Sequence, residues 1–334
     1  MGKYFVVFLS WHNSIPGYIK KMYDLLPLNK AFISREHIKP PRLVDSVLMS
    51  QDSSYVENTD EKVLQRLRSV NPRYVVVWNG DFNDNDRGYQ VPLIKRIKEE
   101  TNIQMIYCEH GWLPQSLTFS MDKEGSNGGS SFSNSKTFPH RTDFTPVVNK
   151  RRMYNGGAKD PGVRDFIYVP LQLNSDTQIK MYSPHFKDMA DFITHIANVF
   201  EDKKLIIKGH PKDLQQNHAR YKGICSKIPN ATYVVNTNNL GYCKYADRVI
   251  AINSTTINEA LVFQKAVMTY GKNNFYGKGV TYEVSDINDY TFQRNFLFHE
   301  PDLNHVEDYL CHLLSLQFDS TNPNMKKVLK HFSL

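Results

Sequence analysis

Asp165-Phe-Ile-Tyr-Val-Pro-Leu-Gln-Leu-Asn-Ser-Asp-Thr-Gln178 opens as an apolar run and ends in small polar groups. Phe166 to Leu171 is predicted to be a buried strand. Gln172, Asn174, Ser175, Asp176, Thr177 and Gln178 crowd its carboxyl end. Open α/β sheets build ligand sites where buried strands end in this way. Two later segments repeat the pattern: Leu205-Ile-Ile-Lys-Gly-His-Pro211 and Val249-Ile-Ala-Ile-Asn-Ser-Thr-Thr256. A helical pattern follows each, so three polar strand tips are expected along one edge of one sheet.

Around these segments the second half alternates regularly. Helices are predicted at about 184–200, 214–227, 240–245 and 257–263, and strands at 205–208, 232–235, 248–252 and 266–270. The first half reads in the same way. A strand is expected at Tyr4–Leu9, then the polar turn 10–17 and a helix at 18–26. A helix with apolar spacing at Val63, Leu64, Leu67 and Val70 precedes a strand at Tyr74–Trp78. The polar segment 79–86, a helix at 91–100 and a strand at 103–108 follow. The stretch between the first helix and about Tyr55 shows no clear pattern. Alternating strands and helices imply parallel sheets with right-handed crossovers.

From Ser116 to Asn155 the periodicity collapses, and 125–134 is rich in Gly and Ser. A loop of that length reads as a functional lid or a linker. The expected organisation is α/β, with two Rossmann-like domains facing a central cleft. Residues 1–160 would form the first domain and 161–302 the second. Residues 303–334 would form C-terminal helices that pack back across the cleft.

The composition is that of a soluble globular protein, with 40% hydrophobic and 22% charged residues. A formal charge of +7 suits an anionic partner. No dense basic run with interleaved aromatics and no nucleic-acid-binding signature occurs, so nucleic acid is not expected as a partner. Cys108, Cys225, Cys243 and Cys311 form no CxxC pair and read as free thiols of a reducing cytoplasm. Met1 to Ser10 reads as a first strand rather than a signal peptide, and no apolar run reaches transmembrane length. The protein is expected in the cytoplasm, with any membrane contact peripheral at the inner face of the bacterial inner membrane. The basic tail 325–334 reads either as a contact for an anionic membrane or as an ordinary last helix.

No GxGxxG, GxxxxGK[ST], GxSxG or HExxH motif is present. Dinucleotide redox chemistry, P-loop hydrolysis, serine hydrolysis and zinc hydrolysis all lose support. The candidate residues are instead those of the strand ends. Asn253-Ser-Thr-Thr256 supplies hydroxyls that either cap a helix or, with its N–H groups, take a phosphate or carboxylate. Glu259, a turn later, either reaches a ribose or is a solvated helix charge. Lys208 and His210 flank Gly209, which permits a tight turn, and the pair suits a phosphate or sugar carboxylate. Glu109 leaves a buried strand into Gly111 and is a candidate acid/base group, or a solvent-facing carboxylate. Asp176 is the matching carboxylate of the second half, and two such groups suit glycosyl chemistry.

Val169-Pro-Leu-Gln-Leu-Asn-Ser-Asp-Thr-Gln178, Lys208-Gly-His-Pro211 and Asn253-Ser-Thr-Thr-Ile-Asn-Glu-Ala260 resemble the bacterial capsule polysaccharide synthesis family. So do Ala266-Val-Met-Thr-Tyr-Gly271, Phe275-Tyr-Gly-Lys-Gly279 and, in the first half, Glu109-His-Gly-Trp-Leu-Pro-Gln115 and Asp122-Lys-Glu-Gly-Ser-Asn127. The resemblance runs from about Ile103 to Gly279. That family contains the β-Kdo transferases.

The resemblance implies a glycosyltransferase of the two-Rossmann, glycosyltransferase-B type. It would use CMP-Kdo as donor and act on a glycan or lipid-linked acceptor in capsule or lipopolysaccharide assembly. It would need no metal or other cofactor and would retain the donor configuration. By the same resemblance Asp176 is the nucleophile, and Glu109 is its acid/base partner or orients the acceptor hydroxyl. Lys208 and His210 hold the donor phosphate or the Kdo carboxylate, Ser254 and Thr255 a phosphate, and Glu259 the cytidine ribose. Gln172 and Asn253 complete the donor-binding set. A donor of another kind (a different CMP-ulosonic acid or a UDP-hexose) and a non-catalytic glycan-binding subunit are the competing expectations.

Overall fold

A computed structural model describes residues 6–10, 17–34, 54–56, 59–79 and 90–333. Most of the polar turn 10–17, of the segment 79–86 and of the unpatterned stretch before Tyr55 lies outside the described residues. The chain divides into two compact units: residues 1–132 with 316–334, and residues 133–315.

The first unit carries β1 (Val6–Ser10), β2 (Lys30–Ser34), β3 (Ser54–Val56), β4 (Tyr74–Trp78), β5 (Gln104–His110) and β6 (Thr118–Asp122). The order β6-β5-β4-β1-β2-β3 is parallel from β5 to β3, and β6 runs antiparallel to β5. Both faces of the central strands are covered, which is why they read as continuous apolar runs. Val6, Phe8, Tyr74, Val76 and Ile106 pack on one side with the helix Gly17–Leu25. Val7, Leu9, Val75, Val77 and Met105 pack on the other with the helices Asp60–Val70 and Gln90–Glu100. The helix Asp60–Val70 is delimited locally. The Thr59 side chain accepts from the Lys62 N–H at 3.2 Å, and Asn71 ends it in the left-handed region at φ 48°.

The second unit carries β7 (Phe166–Pro170), β8 (Lys204–Lys208), β9 (Ala231–Val234), β10 (Arg248–Ala251), β11 (Ala266–Thr269) and β12 (Tyr282–Glu283). All pair in parallel, in the order β12-β11-β10-β7-β8-β9. From β7 the chain builds outward through β8 and β9, then returns to the other side of β7 and builds through β10, β11 and β12. The order therefore reverses between β7 and β10, and ligands of open α/β sheets bind beyond the carboxyl ends of the strands at such a point.

The chain then returns to the first unit as β13 (Gln317–Asp319), which pairs antiparallel with β6. The helix Met325–Lys330 follows, and Val328 and Phe332 are fully buried in the first unit's core beside Phe318. The apolar face of the basic tail is thus used in packing. No helix among the described residues is long and apolar enough to cross a membrane. All four cysteines are buried and free.

Two expectations differ from the structure. The stretch 116–155 is not a structureless loop, because it contains β6 and the helix Thr145–Gly157. The units also part at Phe132 and Ser133 rather than near residue 160, and the late helix Leu303–Leu316 lies almost wholly in the second unit. The reason is where the segment after Phe132 anchors. Arg151 donates Nε to the Val262 carbonyl and pairs through Nη2 with Glu307, both at 2.7 Å. The buried Lys278 donates to the Ser135 carbonyl at 2.5 Å.

Asn238 ties the same segment to the helix Asn239–Tyr245. Its Oδ1 accepts from the Gly241 N–H at 2.7 Å and the Lys159 N–H at 3.3 Å. A Cβ on Gly241 would stand 1.9 Å from the Lys159 carbonyl oxygen, which is backbone and cannot swing aside. Gly241→Ala is therefore expected to cost about 2 kcal/mol and to lower the thermal midpoint by several degrees. A variant that melts with the parent protein would contradict this packing.

Candidate active site

The tips of β7, β8 and β10 meet at the switch point of the second unit. The Leu171 N–H donates to the Lys208 carbonyl at 2.8 Å, which joins the first two tips. Gln172 and Asn253, the residues just beyond β7 and β10, form a reciprocal pair. Gln172 Nε2 donates to Asn253 Oδ1 at 2.9 Å, and the Asn253 N–H donates to Gln172 Oε1 at 3.2 Å. Asn253 Nδ2 then donates to the Gln178 carbonyl at 2.9 Å, and Asn273 Nδ2 donates to the Asn253 carbonyl at 2.9 Å. Asn253 is completely buried and Gln172 nearly so. Both were expected to touch the donor; here their side-chain groups bond one another and the backbone, and they brace the site from beneath.

Asp176 precedes the helix Thr177–Tyr182 and caps it, with Oδ1 accepting from the Gln178 N–H at 2.8 Å. Its Oδ2 has no hydrogen-bond partner among the described residues. Burial pushes the carboxyl above the usual range, and the Gln178 N–H holds it partway back. The chain of bonds Asp176–Gln178–Asn253–Gln172 fixes this carboxylate to the floor of the site.

Lys208 is only 8% exposed, yet its ammonium has no hydrogen bond or ion pair among the described residues. Burial lowers its pKa, and the nearby Cys243 and Glu259 work in the opposite direction. A buried ammonium that makes no hydrogen bond and no close ion pair with the nearby Glu259 is suited to an anion that arrives from outside. His210 is half-buried. Burial first, then Lys208 and Lys212, hold its pKa below the ordinary value. Its Nδ1 accepts from the Lys212 N–H at 3.2 Å, which assigns the proton of the neutral ring to Nε2. Gly209 between them is required by close approach. A Cβ there would lie 2.1 Å from the Tyr233 hydroxyl, which bonds His218 Nδ1 at 2.7 Å.

Ser254 Oγ accepts from the Thr256 N–H at 3.3 Å, while Thr255 occupies the N-cap position of the helix Thr256–Val262 without a side-chain cap. Glu259, in that helix, is part-buried and accepts a hydrogen bond from Asn239 Nδ2. Burial pushes its carboxyl up to about 7, and Asn239 and Lys208 limit the rise.

Seven of the predicted residues therefore share this edge with Asn253: Gln172, Asp176, Lys208, His210, Ser254, Thr255 and Glu259. Glu109 stands in the first unit, at the end of β5. Its Oε1 accepts from Trp78 Nε1 at 3.3 Å and from the His110 N–H at 2.7 Å. It lines a cavity of about 340 Å³ with Trp112, Asp122, Lys123, Phe132 and His331. Asp122, on the neighbouring strand β6, accepts from the Glu124 N–H at 2.8 Å and the Ser131 N–H at 3.1 Å.

Sequence reasoning missed a buried amide–phenol cluster behind the site. The Tyr309 hydroxyl donates to Asn258 Oδ1, and Asn274 Nδ2 donates to the Tyr309 oxygen, both at 2.7 Å. The doublet Asn273-Asn274 just past β11 was its one local signal.

A profile of the family described as "Capsule polysaccharide biosynthesis protein" matches residues 148–315. Protein FixF of Sinorhizobium fredii is 26% identical over 274 residues, which cover 76% of this chain and 63% of FixF. The capsule polysaccharide export protein KpsS of Escherichia coli is 28% identical over 125 residues, 34% of this chain and 31% of KpsS. The chain thus spans less than two thirds of either relative. Among solved structures, the Thermosulfurimonas dismutans KpsC β-Kdo 2,7 transferase matches with a TM-score of 0.59 at 15% identity. That match covers 94% of this chain and 92% of the other. The β-Kdo 2,4 transferase of the same KpsC matches with a TM-score of 0.50 at 12% identity, over 77% and 83%. The two-Rossmann fold expected from the sequence is therefore the fold of these transferases.

Proposed function

This chain belongs to the capsule polysaccharide biosynthesis family, and from that membership we propose that it is a glycosyltransferase that moves Kdo from CMP-Kdo to a glycan or lipid-linked acceptor. The observation that carries the reading is the switch-point edge of the second unit. There the Lys208 ammonium, without a hydrogen bond or close ion pair among the described residues, and the His210 Nε2–H stand at the same sheet edge as a carboxylate with one unused oxygen. A sugar nucleotide with both a phosphate and a carboxylate answers that chemistry. The KpsC transferase domains that share the fold are named for β-Kdo transfer, which supports Kdo as the sugar.

In this reading Asp176 Oδ2 attacks the anomeric carbon of Kdo as the bond to the CMP phosphate breaks. CMP leaves with the electron pair, and Lys208 and His210 stabilise the charge that develops on it. Ser254 and Thr255 flank the phosphate, and Glu259 takes the ribose. The acceptor hydroxyl then attacks the same carbon from the other face as its proton passes to a base, the role that the family resemblance gives Glu109, and Asp176 is released. Two displacements return the original configuration. The cavity beside Glu109, with Trp112 and Phe132 as apolar walls, suits an acceptor sugar ring.

Incubation of the protein with CMP-Kdo and, separately, with UDP-hexoses tests the donor. CMP release is expected with the first alone. UDP release without CMP release would replace the donor, and turnover of neither would favour a glycan-binding subunit.

A further inference from the structure

Glu259 is held by groups that nothing above assigns to a function. Tyr168 lies in the central strand β7, fully buried, with its ring stacked on Tyr242 at 5.4 Å between centroids. Its hydroxyl donates to Asn239 Oδ1 at 2.5 Å. With its oxygen occupied, the Asn239 carboxamide has one orientation, and Nδ2 is turned to Glu259 Oε2 and, at 3.4 Å, to Thr256 Oγ1. Glu259 Oε1 has no hydrogen-bond partner among the described residues, and the residue is not sealed from solvent. Nearby, the Tyr154 hydroxyl is buried without a partner, on a residue only 2% exposed. The Glu259 charge is close enough to raise its pKa, after the larger effect of burial.

The neighbourhood is specific in its chemistry. A carboxylate offers one unused oxygen, an orphaned phenol stands nearby, and the ammonium of Lys208 adds a positive charge. A carboxylate accepts from two vicinal hydroxyls, and a cation beside it takes a phosphate on the same ligand. That combination is the ribose diol of a nucleoside monophosphate. We propose that Tyr168 and Asn239 are positioning residues that hold Glu259 as the acceptor for the ribose diol of the donor nucleotide. The inference rests on the donor reading above and adds the residues that make the site choose ribose over deoxyribose.

The groups that act on Glu259 are Lys208 from β8, Tyr168 from β7, Asn239 and Cys243 from the helix Asn239–Tyr245, and Tyr154 from the helix Thr145–Gly157. Its carboxyl titrates at about 7. The acceptor form is present above that pH and is lost below it, so ribose selectivity should weaken as the pH falls through neutrality.

The test is equilibrium binding of CMP and 2′-deoxy-CMP to the full chain at pH 8. The parent protein is expected to bind CMP roughly 10-fold more tightly, the effect of one hydrogen bond to a charged group. Tyr168→Phe is expected to reduce that ratio to roughly 2-fold. Asn239→Ala is expected to do the same, and it carries the test where Tyr168→Phe does not fold. A folded Tyr168→Phe protein with the parental ratio would overturn the positioning role. Binding of both nucleotides by the parent protein without discrimination would overturn the ribose assignment and leave the donor reading standing. Binding of neither would remove both.

Discussion

Asp176→Asn is expected to lower sugar transfer by at least about 10³-fold while the donor still binds. The substitution separates two roles of one side chain. In the structure Asp176 Oδ1 caps the helix Thr177–Tyr182 through the Gln178 N–H. Asn is as good a cap as Asp, so the variant should fold with the parental stability. It has no anionic oxygen with which to attack the anomeric carbon. Asp176→Ala loses the cap as well, at about 1 kcal/mol. Equal activity losses in the two variants, with a stability loss in the Ala variant alone, would match both roles. The measurements are single-turnover CMP release and a denaturation curve for each variant. Near-normal turnover in Asp176→Asn would remove this residue from the chemistry.

Asn253→Ala is expected to cost about 3 kcal/mol and to abolish activity without removing any group that meets the substrate. The Asn253 side chain accepts from Gln172 and donates to the Gln178 carbonyl. Its loss strands the Gln172 amide and the Gln178 carbonyl in a dry interior, at about 1–3 kcal/mol for each orphaned group. It also releases the loop that carries Asp176. Chemical denaturation should show a lower midpoint with an unchanged slope, which is the mark of a local loss in the native state. A variant with parental stability and turnover would mean that the brace beneath the site is dispensable.

How much of this was legible from the chain differs by element, and the differences have causes. Tyr74–Trp78 and Phe166–Pro170 are buried on both faces, so their apolar runs are unbroken and their bounds agree with prediction to within a residue. Asp60–Val70 buries Val63, Leu64, Leu67 and Val70, which leaves a clear helical period. By contrast β6 and β13 are short and antiparallel: β6 pairs with β5, and β13 pairs with β6 alone. Their sequences, Thr118–Asp122 and Gln317–Asp319, lie almost two hundred residues apart and carry little local pattern. The helix Thr145–Gly157 buries only Val147 and Tyr154, so no period marks it. The predicted helix at 184–200 proved to start at Met189, and the separate turn of helix Thr177–Tyr182 before it was not foreseen, because its start is set by the Asp176 cap.

The site divides in the same way. That β7, β8 and β10 would end in polar groups at one edge follows from composition along the chain, because a buried strand can place polar residues only where it leaves the sheet. Which of those groups face a ligand and which face one another was settled only by packing. Gln172 and Asn253 read like Ser254 and Lys208 in the sequence, yet the first two turned inward as a buried pair and Lys208 kept its ammonium unmatched. Hydrogen-bond partners of buried amides come from distant segments, so their pairing is a property of the assembled sheet. The local pattern along the chain determined where the strands end, and the tertiary structure decided what each strand end is free to do.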